Sequence, residues 1–550
     1  MLSPSLMRRF APFTIVIALA TVACDFAPED EPAGPLRRAG RAPDPSGAAI
    51  GAPAGADGTG ASGGTTGGAS SGTSTDLSTP TPPATVQLAT GLRITEVALF
   101  QGVKVSLAKE GAKTTARAMP AIAGRAGLVR VYVTPEATWS PHPVTAELHL
   151  VTGGTGLPIA RDVKTIAGAS SEGDLGSTFN FDLDGQSLPA GAEYFVELVD
   201  ATAAPTPTGT ASGAQHPRAG GTESLDLVSG DDQLDVVLVP IRYGADGSNR
   251  LPDTSAPVLD AVAKRTLELY PVPKIAFSLH APIDANGPIS ADGTGWSSVL
   301  AQVTQLRLAE KPAADVYYFG VFAPAASVAA YCPKSCVLGL SNLGASVNDA
   351  ASRASVGVLY NDPFVFETLP HEVGHAHGRA HAPCGGAAGP DAAFPYTDAT
   401  IGTWGYSIVQ KTLIDPNATK TPHDFMSYCG PEWTSDYTFR ALFERGRALR
   451  ATQVGQPLRA PQKTRTLHLL LEADDGSLMW HDAPAVTSDA PLGGEVRRVT
   501  YRDASGNVLG ADEAHRYAYD HLGGASLFVP EPPAGTARVE IEGGGTISAL

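Results

Sequence analysis

The sequence contains no run of basic residues, and its 39 Lys and Arg are outnumbered by 56 Asp and Glu, for a net charge of −17. Phosphate binding needs concentrated Lys and Arg, so a nucleic-acid partner is excluded. An apolar stretch at residues 10–23 falls short of the roughly 20 residues that a membrane-spanning helix requires. The glycines show no period of three, which excludes collagen. Cysteines are few, five in 550 residues. Aromatic side chains are missing between Phe26 and Phe100, and from Gly58 to Thr75 every residue is Gly, Ala, Ser or Thr. Such a segment cannot bury enough apolar surface to offset its ordering entropy.

What is present in excess is glycine and proline, 60 and 45 of 550 residues, against a usual combined share of about 12%. Part of the chain is therefore linker. At a prior of roughly 150 residues per domain, the remainder suits about three folded units.

Arg8 and Arg9 precede the apolar stretch, which reads as a signal peptide. It ends in Thr21-Val22-Ala23-Cys24, which resembles the cleavage box of bacterial lipoproteins. That likeness implies a mature chain that starts at a lipidated Cys24 and is exported and anchored to the cell envelope, at the outer membrane or cell surface. Residues 25–88 then form a Gly/Ala/Ser/Thr/Pro-rich tether. About 60 flexible residues hold the folded part on the order of 45 Å from the anchor.

The folded remainder divides by pattern. Residues 89–224 carry short runs of alternating apolar and polar residues bounded by turns, as in 128–133 and 146–150, and predict a β-sandwich-like domain. A Pro/Thr/Gly-rich passage at 202–224 closes it. Residues 225–455 change rhythm, with near-continuous apolar strands at 234–240, 274–279, 315–322 and 356–360 alternating with helical stretches near 256–270 and 294–310. Alternation of that kind implies a mixed α/β domain. After a proline-marked break at 456–462, residues 463–550 form a small C-terminal β domain. The expected class is therefore multidomain α+β, a mixed α/β unit flanked by β-sandwich-like domains.

The chemistry lies in the middle unit, where residues 371–381 read HExxHxxGxxH. On a helix, His371 and His375 are one turn apart on the same face and present ring nitrogens to one ion. His381, ten residues from His371, cannot share that face. Gly378 permits the left-handed turn that ends the helix and swings His381 back. Three neutral imidazoles with water in the fourth position make a catalytic zinc site holding one ion. Glu372 is placed as general base to take a proton from the activated water and hand it to the leaving amine. At this chain's own frequencies, chance supplies on the order of 10⁻⁴ such matches. His377 lies off the shared face and reads as a packed or solvated histidine. Asp362 and Pro363 suggest a helix start, with Pro370 either kinking that helix or marking a later start at Thr368.

These residues resemble the metzincin clan of zinc peptidases, whose long zinc motif is followed by a methionine-containing turn. The likeness covers roughly residues 232–452. It implies that Met426, in Asp424-Phe425-Met426-Ser427-Tyr428, lies beneath the metal, and that Tyr428 directs its phenol at the metal or the oxyanion. It also implies that an upstream strand near 337–343 binds substrate by edge pairing. A helix at about 435–450 resembles the clan's closing helix, with Tyr437, Ala441, Leu442, Ala448 and Leu449 at helical spacing and Arg445, Arg447 and Arg450 near its C-terminus, where cations favour the dipole. An N-terminal β-sandwich before such a catalytic domain is similar to bacterial metzincins that cleave mucins and other glycoproteins.

With Cys24 lipidated, an even four cysteines remain, which favours disulfides in an exported chain. Of three connectivities, Cys332–Cys336 with Cys384–Cys429 is favoured, the second pair fastening both walls of the site. The expected protein is a zinc metalloendopeptidase acting on protein or glycoprotein substrates. The alternatives are a surface glycan- or protein-binding lipoprotein with an inert zinc domain, against which the intact Glu372 argues, and a zinc hydrolase of a non-peptide amide. Oligomeric state is not legible.

Overall fold

The computed structural model describes residues 87–550 apart from 201–210, 231, 286, 345, 455–463, 483 and 490–491, with the side chains of 452–454 also left aside. The signal peptide with Cys24, the tether up to residue 86 and the break at 456–462 lie outside the described residues. Among the described residues, pairing begins one residue earlier than the expected domain, since Leu88 bridges Val199.

The chain is mixed α/β, multidomain and rich in sheet. Two antiparallel sheets come first. One has five strands, including Leu92–Phe100, Gly127–Pro135 and Phe179–Leu183; the other is built on Pro143–Thr152 and Glu193–Asp200. Alternating inward residues such as Val97, Leu99, Val129 and Val131 from one sheet and Val144, Ala146, Val196 and Leu198 from the other share a single core. The passage expected only to close this region instead extends its second sheet, because Gln215–His216 and Glu223–Ser224 pair with Glu193–Asp200. Short two-residue pairings of this kind carry too little periodicity to show in a sequence.

The central sheet runs Ile275–Leu279, Leu234–Arg242, Tyr317–Phe322 and Ala354–Val358 in parallel, and ends on the antiparallel edge strand Gly339–Ser341. Its inner strands Tyr317–Phe322 and Ala354–Val358 are buried at every residue, as strands covered on both faces are. Ala256–Leu269 buries Val258, Val262, Thr266 and Leu269 at spacings of one helical turn. Trp296–Glu310 buries residues all round, Trp296, Val299, Leu300, Ala301, Val303 and Leu308 among them. A helix apolar on every side lies between two layers. Here the second layer is an eight-stranded C-terminal sheet: Ala301, Leu308 and Ala351 share a core with Leu467, Leu469, Leu471, Tyr517 and Phe528.

The closing helix spans Asp436–Val454 and runs past the expected end. Its buried stripe is Phe439, Leu442, Phe443 and Leu449, with Tyr437 only half-buried. Phe439 and Phe443 enter the core of the two N-terminal sheets, while Leu442 and Leu449 enter that of the central sheet. The dipole reading of its arginines is overturned, because no basic residue lies in the last turn. Arg445 donates to the carbonyl of Ser346 at 2.7 Å, Arg450 to that of Gly230 at 2.8 Å, and Arg447 stacks over the Phe443 ring. Buried Arg125 ties the N-terminal sheets to the carbonyls of Leu267 and Val272. These shared cores make residues 87–550 one compact unit.

Candidate metal centre

The histidine helix starts at Thr368 and ends at Ala376, preceded by a separate 3₁₀ turn, Pro363–Val365, whose Asp362 caps the Phe364 amide. Pro370 therefore sits in the first turn, where its missing N–H costs nothing. The Tyr270 hydroxyl donates to the Pro370 carbonyl at 2.7 Å and fixes this end. The helix packs against the strand Ala354–Val358 and the edge strand. At its other end Gly378 takes φ +92°, and the chain turns back toward the helix.

His371, His375 and His381 converge. Nε2 of His375 lies 3.1 Å from Nε2 of His371 and 3.2 Å from Nε2 of His381. Each Nδ1–H donates to a backbone carbonyl: His371 to Phe425 at 2.7 Å, His375 to Arg379 at 2.7 Å, His381 to Ala388 at 2.6 Å. With the Nδ1 protons so placed, the three Nε2 atoms present lone pairs to one another. A proton does not relieve this, because burial and then the neighbouring imidazoles push His371 well below the ordinary range. Burial likewise takes His375 down to about 3 and His381 down to about 4. A divalent ion does relieve it. Metal–nitrogen bonds of about 2.0–2.1 Å set tetrahedral ligand edges near ~3.3 Å, close to the spacings observed.

Glu372 is buried beside this cluster, where its carboxyl meets that of Asp520. Burial, reinforced by Asp520, holds its carboxyl well above the usual range. Met426 is buried beneath the helix, against Gly374: a Cβ built on that glycine would lie 2.5 Å from Sδ. Tyr428 sets its ring 4.9 Å from that of His381. His377 does not join the cluster. It is a core residue whose Nδ1 meets the Tyr317 hydroxyl at 2.7 Å and whose Nε2 meets the Leu442 carbonyl at 3.0 Å. Both disulfides form, Cys332–Cys336 and Cys384–Cys429.

Two residues absent from the sequence reading stand in the site. Asp520 and His521, between the strands Val508–Ala518 and Ala525–Pro530 of the C-terminal sheet, reach the cluster. Ligand atoms of His371, His375, His381 and His521 all lie within 4.8 Å of one another. His521 Nε2 donates to Glu372 Oε1 at 2.8 Å, and its Nδ1 meets the Tyr428 hydroxyl. Asp520 Oδ2 is 3.1 Å from His521 Nε2 and 3.3 Å from His375 Nε2. Burial opposes charge on His521, but Asp520 and Glu372 outweigh it and bring the imidazole up to about 9.

The expected substrate edge is also altered. Gly339–Ser341 is the antiparallel edge strand, yet the Ser341 amide donates to Asp520 Oδ1 at 2.9 Å and that of Leu343 to the Ala518 carbonyl at 3.4 Å. The outward amides at that end are thus taken by the C-terminal segment. Nothing in the sequence marked Asp520 and His521, since one Asp-His pair between two strands has no ligand spacing to read.

Residues 348–442 match the family model described as Peptidase M66. The likeness supports a metallopeptidase, and with it a hydrolase whose histidine cluster could bind the metal. The matched segment holds the histidine helix, His381, Met426 and Tyr428, and stops short of His521. No curated protein matches the chain.

Proposed function

We propose that the chain is a zinc endopeptidase of the metzincin type, tethered by a lipidated Cys24 to the bacterial cell envelope and acting on extracellular proteins, glycoproteins among them. The observation that carries the reading is the convergence of the His371, His375 and His381 Nε2 atoms beside a buried Glu372. Three imidazoles suit zinc, which when bound supplies a Lewis acid to the scissile carbonyl and acidity to a water.

The protein's own groups do the rest. The three backbone carbonyls hold the imidazoles in the tautomer that leaves Nε2 free to ligate. Glu372, buried one residue from His371 and beside the cluster, is placed to accept the water's proton and pass it to the leaving nitrogen. Tyr428 stands at the rim, able to donate its phenol to a developing oxyanion.

The test is digestion of a substrate library by the zinc-loaded full-length chain, beside Glu372→Ala. The expected result is cleavage by the wild type that the variant lacks, with one zinc in each. A wild-type protein that holds one zinc yet cuts nothing more than the variant removes the peptidase reading. Pairing each substrate with its deglycosylated form decides the glycoprotein preference. Labelling with a radioactive fatty acid, lost in Cys24→Ala, tests the anchor.

A further inference from the structure

We propose that His521, held by Asp520, is the positioning residue for Glu372, so that the C-terminal sheet completes the active site. The inference rests on the peptidase reading and adds to it a residue outside the segment that resembles Peptidase M66.

Three observations carry it. First, His521 touches the base itself: its Nε2 donates to Glu372 Oε1 at 2.8 Å, and the same carboxyl meets that of Asp520. A carboxyl held by an imidazole on one oxygen keeps a fixed orientation toward a proton donor. Second, the imidazole is itself fixed from three sides. Asp520 Oδ2 lies 3.1 Å from Nε2, the Tyr428 hydroxyl meets Nδ1, and the ring stacks on His371 with centroids 5.2 Å apart. Third, the segment that carries it is anchored rather than hanging in the cleft. Asp520 Oδ1 accepts the Ser341 amide, Tyr519 bridges Asn342, and the Tyr519 hydroxyl meets Ser526 Oγ at 2.9 Å. Tyr517, two residues before Tyr519, belongs to the core shared with the helix Trp296–Glu310. A group that must hold a base to within about half an ångström needs that kind of support.

An incidental contact is a poor account of the arrangement. It would bury the Asp520 side chain completely, with the Ser341 amide and the His521 imidazole as its partners, to place one imidazole beside the base, and a carboxylate is costly to bury without such partners. The same segment takes the outward amides of Ser341 and Leu343. At the other end of the strand the Val337 amide donates to the Ala291 carbonyl at 2.8 Å, and Gly339, Leu340 and Ser341 are all buried, so this is not the open edge expected for a substrate peptide.

The test is a double-mutant cycle between His521 and Glu372 in the full-length chain, read in two ways. One is steady-state cleavage of a peptide that the wild type cuts. The other, which needs no substrate, is the affinity of acetohydroxamate for the cobalt(II)-loaded protein, followed by visible absorption. His521→Ala is expected to keep one metal per chain, to lower kcat by about 10²-fold, the scale of an ~1 Å misplacement, and to leave KM within about threefold. His521→Gln, which keeps an N–H donor, is expected to recover at least tenfold of that loss.

Hydroxamate affinity is expected to fall at least tenfold in His521→Ala, and not at all further when His521→Ala is added to Glu372→Ala, because a group acting through Glu372 has nothing left to position. Effects that add in the double variant, a His521→Ala protein that cleaves as fast as or faster than the wild type, or loss of the metal on that substitution would each overturn the proposal. The last two would make the segment an obstruction or a metal-holding element instead. If the wild type cuts nothing, the peptidase reading fails by that arm alone, and the hydroxamate cycle still decides whether His521 is coupled to Glu372.

Discussion

Gly339 on the edge strand lies so close to Glu372 that a Cβ added there would overlap the glutamate's Oε1, Cγ and Cδ. The edge strand is thus the wall against which the Glu372 side chain rests. Gly339→Ala is expected to displace the Glu372 side chain while leaving the three metal ligands in place. Activity should fall by about 10²-fold, as for an ~1 Å displacement of a reacting group, and stability by roughly 1–3 kcal/mol for overpacking. Cleavage rates with metal content by atomic absorption check it. Loss of metal together with activity would show that the glycine supports the helix rather than the base.

Gly378 controls the third ligand. Its φ of +92° is one that a side chain resists, and a Cβ there would lie 2.8 Å from the Gly344 carbonyl oxygen. Gly378→Ala should cost about 1–2 kcal/mol for the left-handed backbone alone. Because the turn aims His381, metal affinity should fall by at least tenfold, measured by competition with a chromophoric chelator. An unchanged affinity would mean that Ala388 and Asp391, which hold His381 by its ring and its backbone, suffice to place it.

The convergence of His371, His375 and His381 was legible in the sequence because its geometry is local: two histidines one turn apart and a glycine that breaks the helix. The two inferred disulfides form in the structure for a similarly simple reason, since four cysteines leave few pairings. What escaped the reading depends on tertiary contact. Asp520 and His521 lie some 140 residues after the helix, in a strand-rich region whose alternation says only that one face is buried. The closing helix shows the same limit. Its true buried stripe runs through Phe439 and Phe443 because a second core, that of the N-terminal sheets, reaches it from the side. Arg445 and Arg450 serve carbonyls of distant loops, which no dipole argument foresees.

The disulfide Cys384–Cys429 joins the segment just past His381 to the one just past Met426. It encloses Gly385, where an added Cβ would lie 2.6 Å from that of Tyr428, and the Tyr428 amide donates to the Cys384 carbonyl at 3.3 Å. Replacing both cysteines by serine should cost roughly 4 kcal/mol, the loop-closure value for a sequence separation of 45. Tyr428 should loosen with it. Thermal unfolding with and without reductant measures the first effect: the wild type should lose stability on reduction, and the double serine variant should not respond at that bond.

Tyr517 fastens the C-terminal sheet to the segment that follows the edge strand. Its buried hydroxyl donates to Asp349 Oδ1 at 2.8 Å and accepts the Gly493 amide at 2.9 Å. Burial pushes the Asp349 carboxyl above its ordinary value of 3.8, against the lowering effect of Tyr517 and of the Gly493 and Ser352 amides. A raised native pKa means that the folded state holds its proton to a higher pH than the unfolded chain does. Stability from this group is therefore complete below about 3.8 and is lost as pH climbs through the native value. Tyr517→Phe removes a donor to the charged form, so it should move that loss to higher pH. At neutral pH the variant should be less stable by about 1–3 kcal/mol, the cost of a buried acceptor left short of a partner. Toward lower pH, as Asp349 takes up its proton in both proteins, the gap should narrow. Thermal unfolding from pH 4 to 7 checks it, and a gap that is constant across that range would show that the hydroxyl does not act through the Asp349 charge. Because the segment that follows this strand carries His521, activity in Tyr517→Phe should fall at the pH values where the gap is widest.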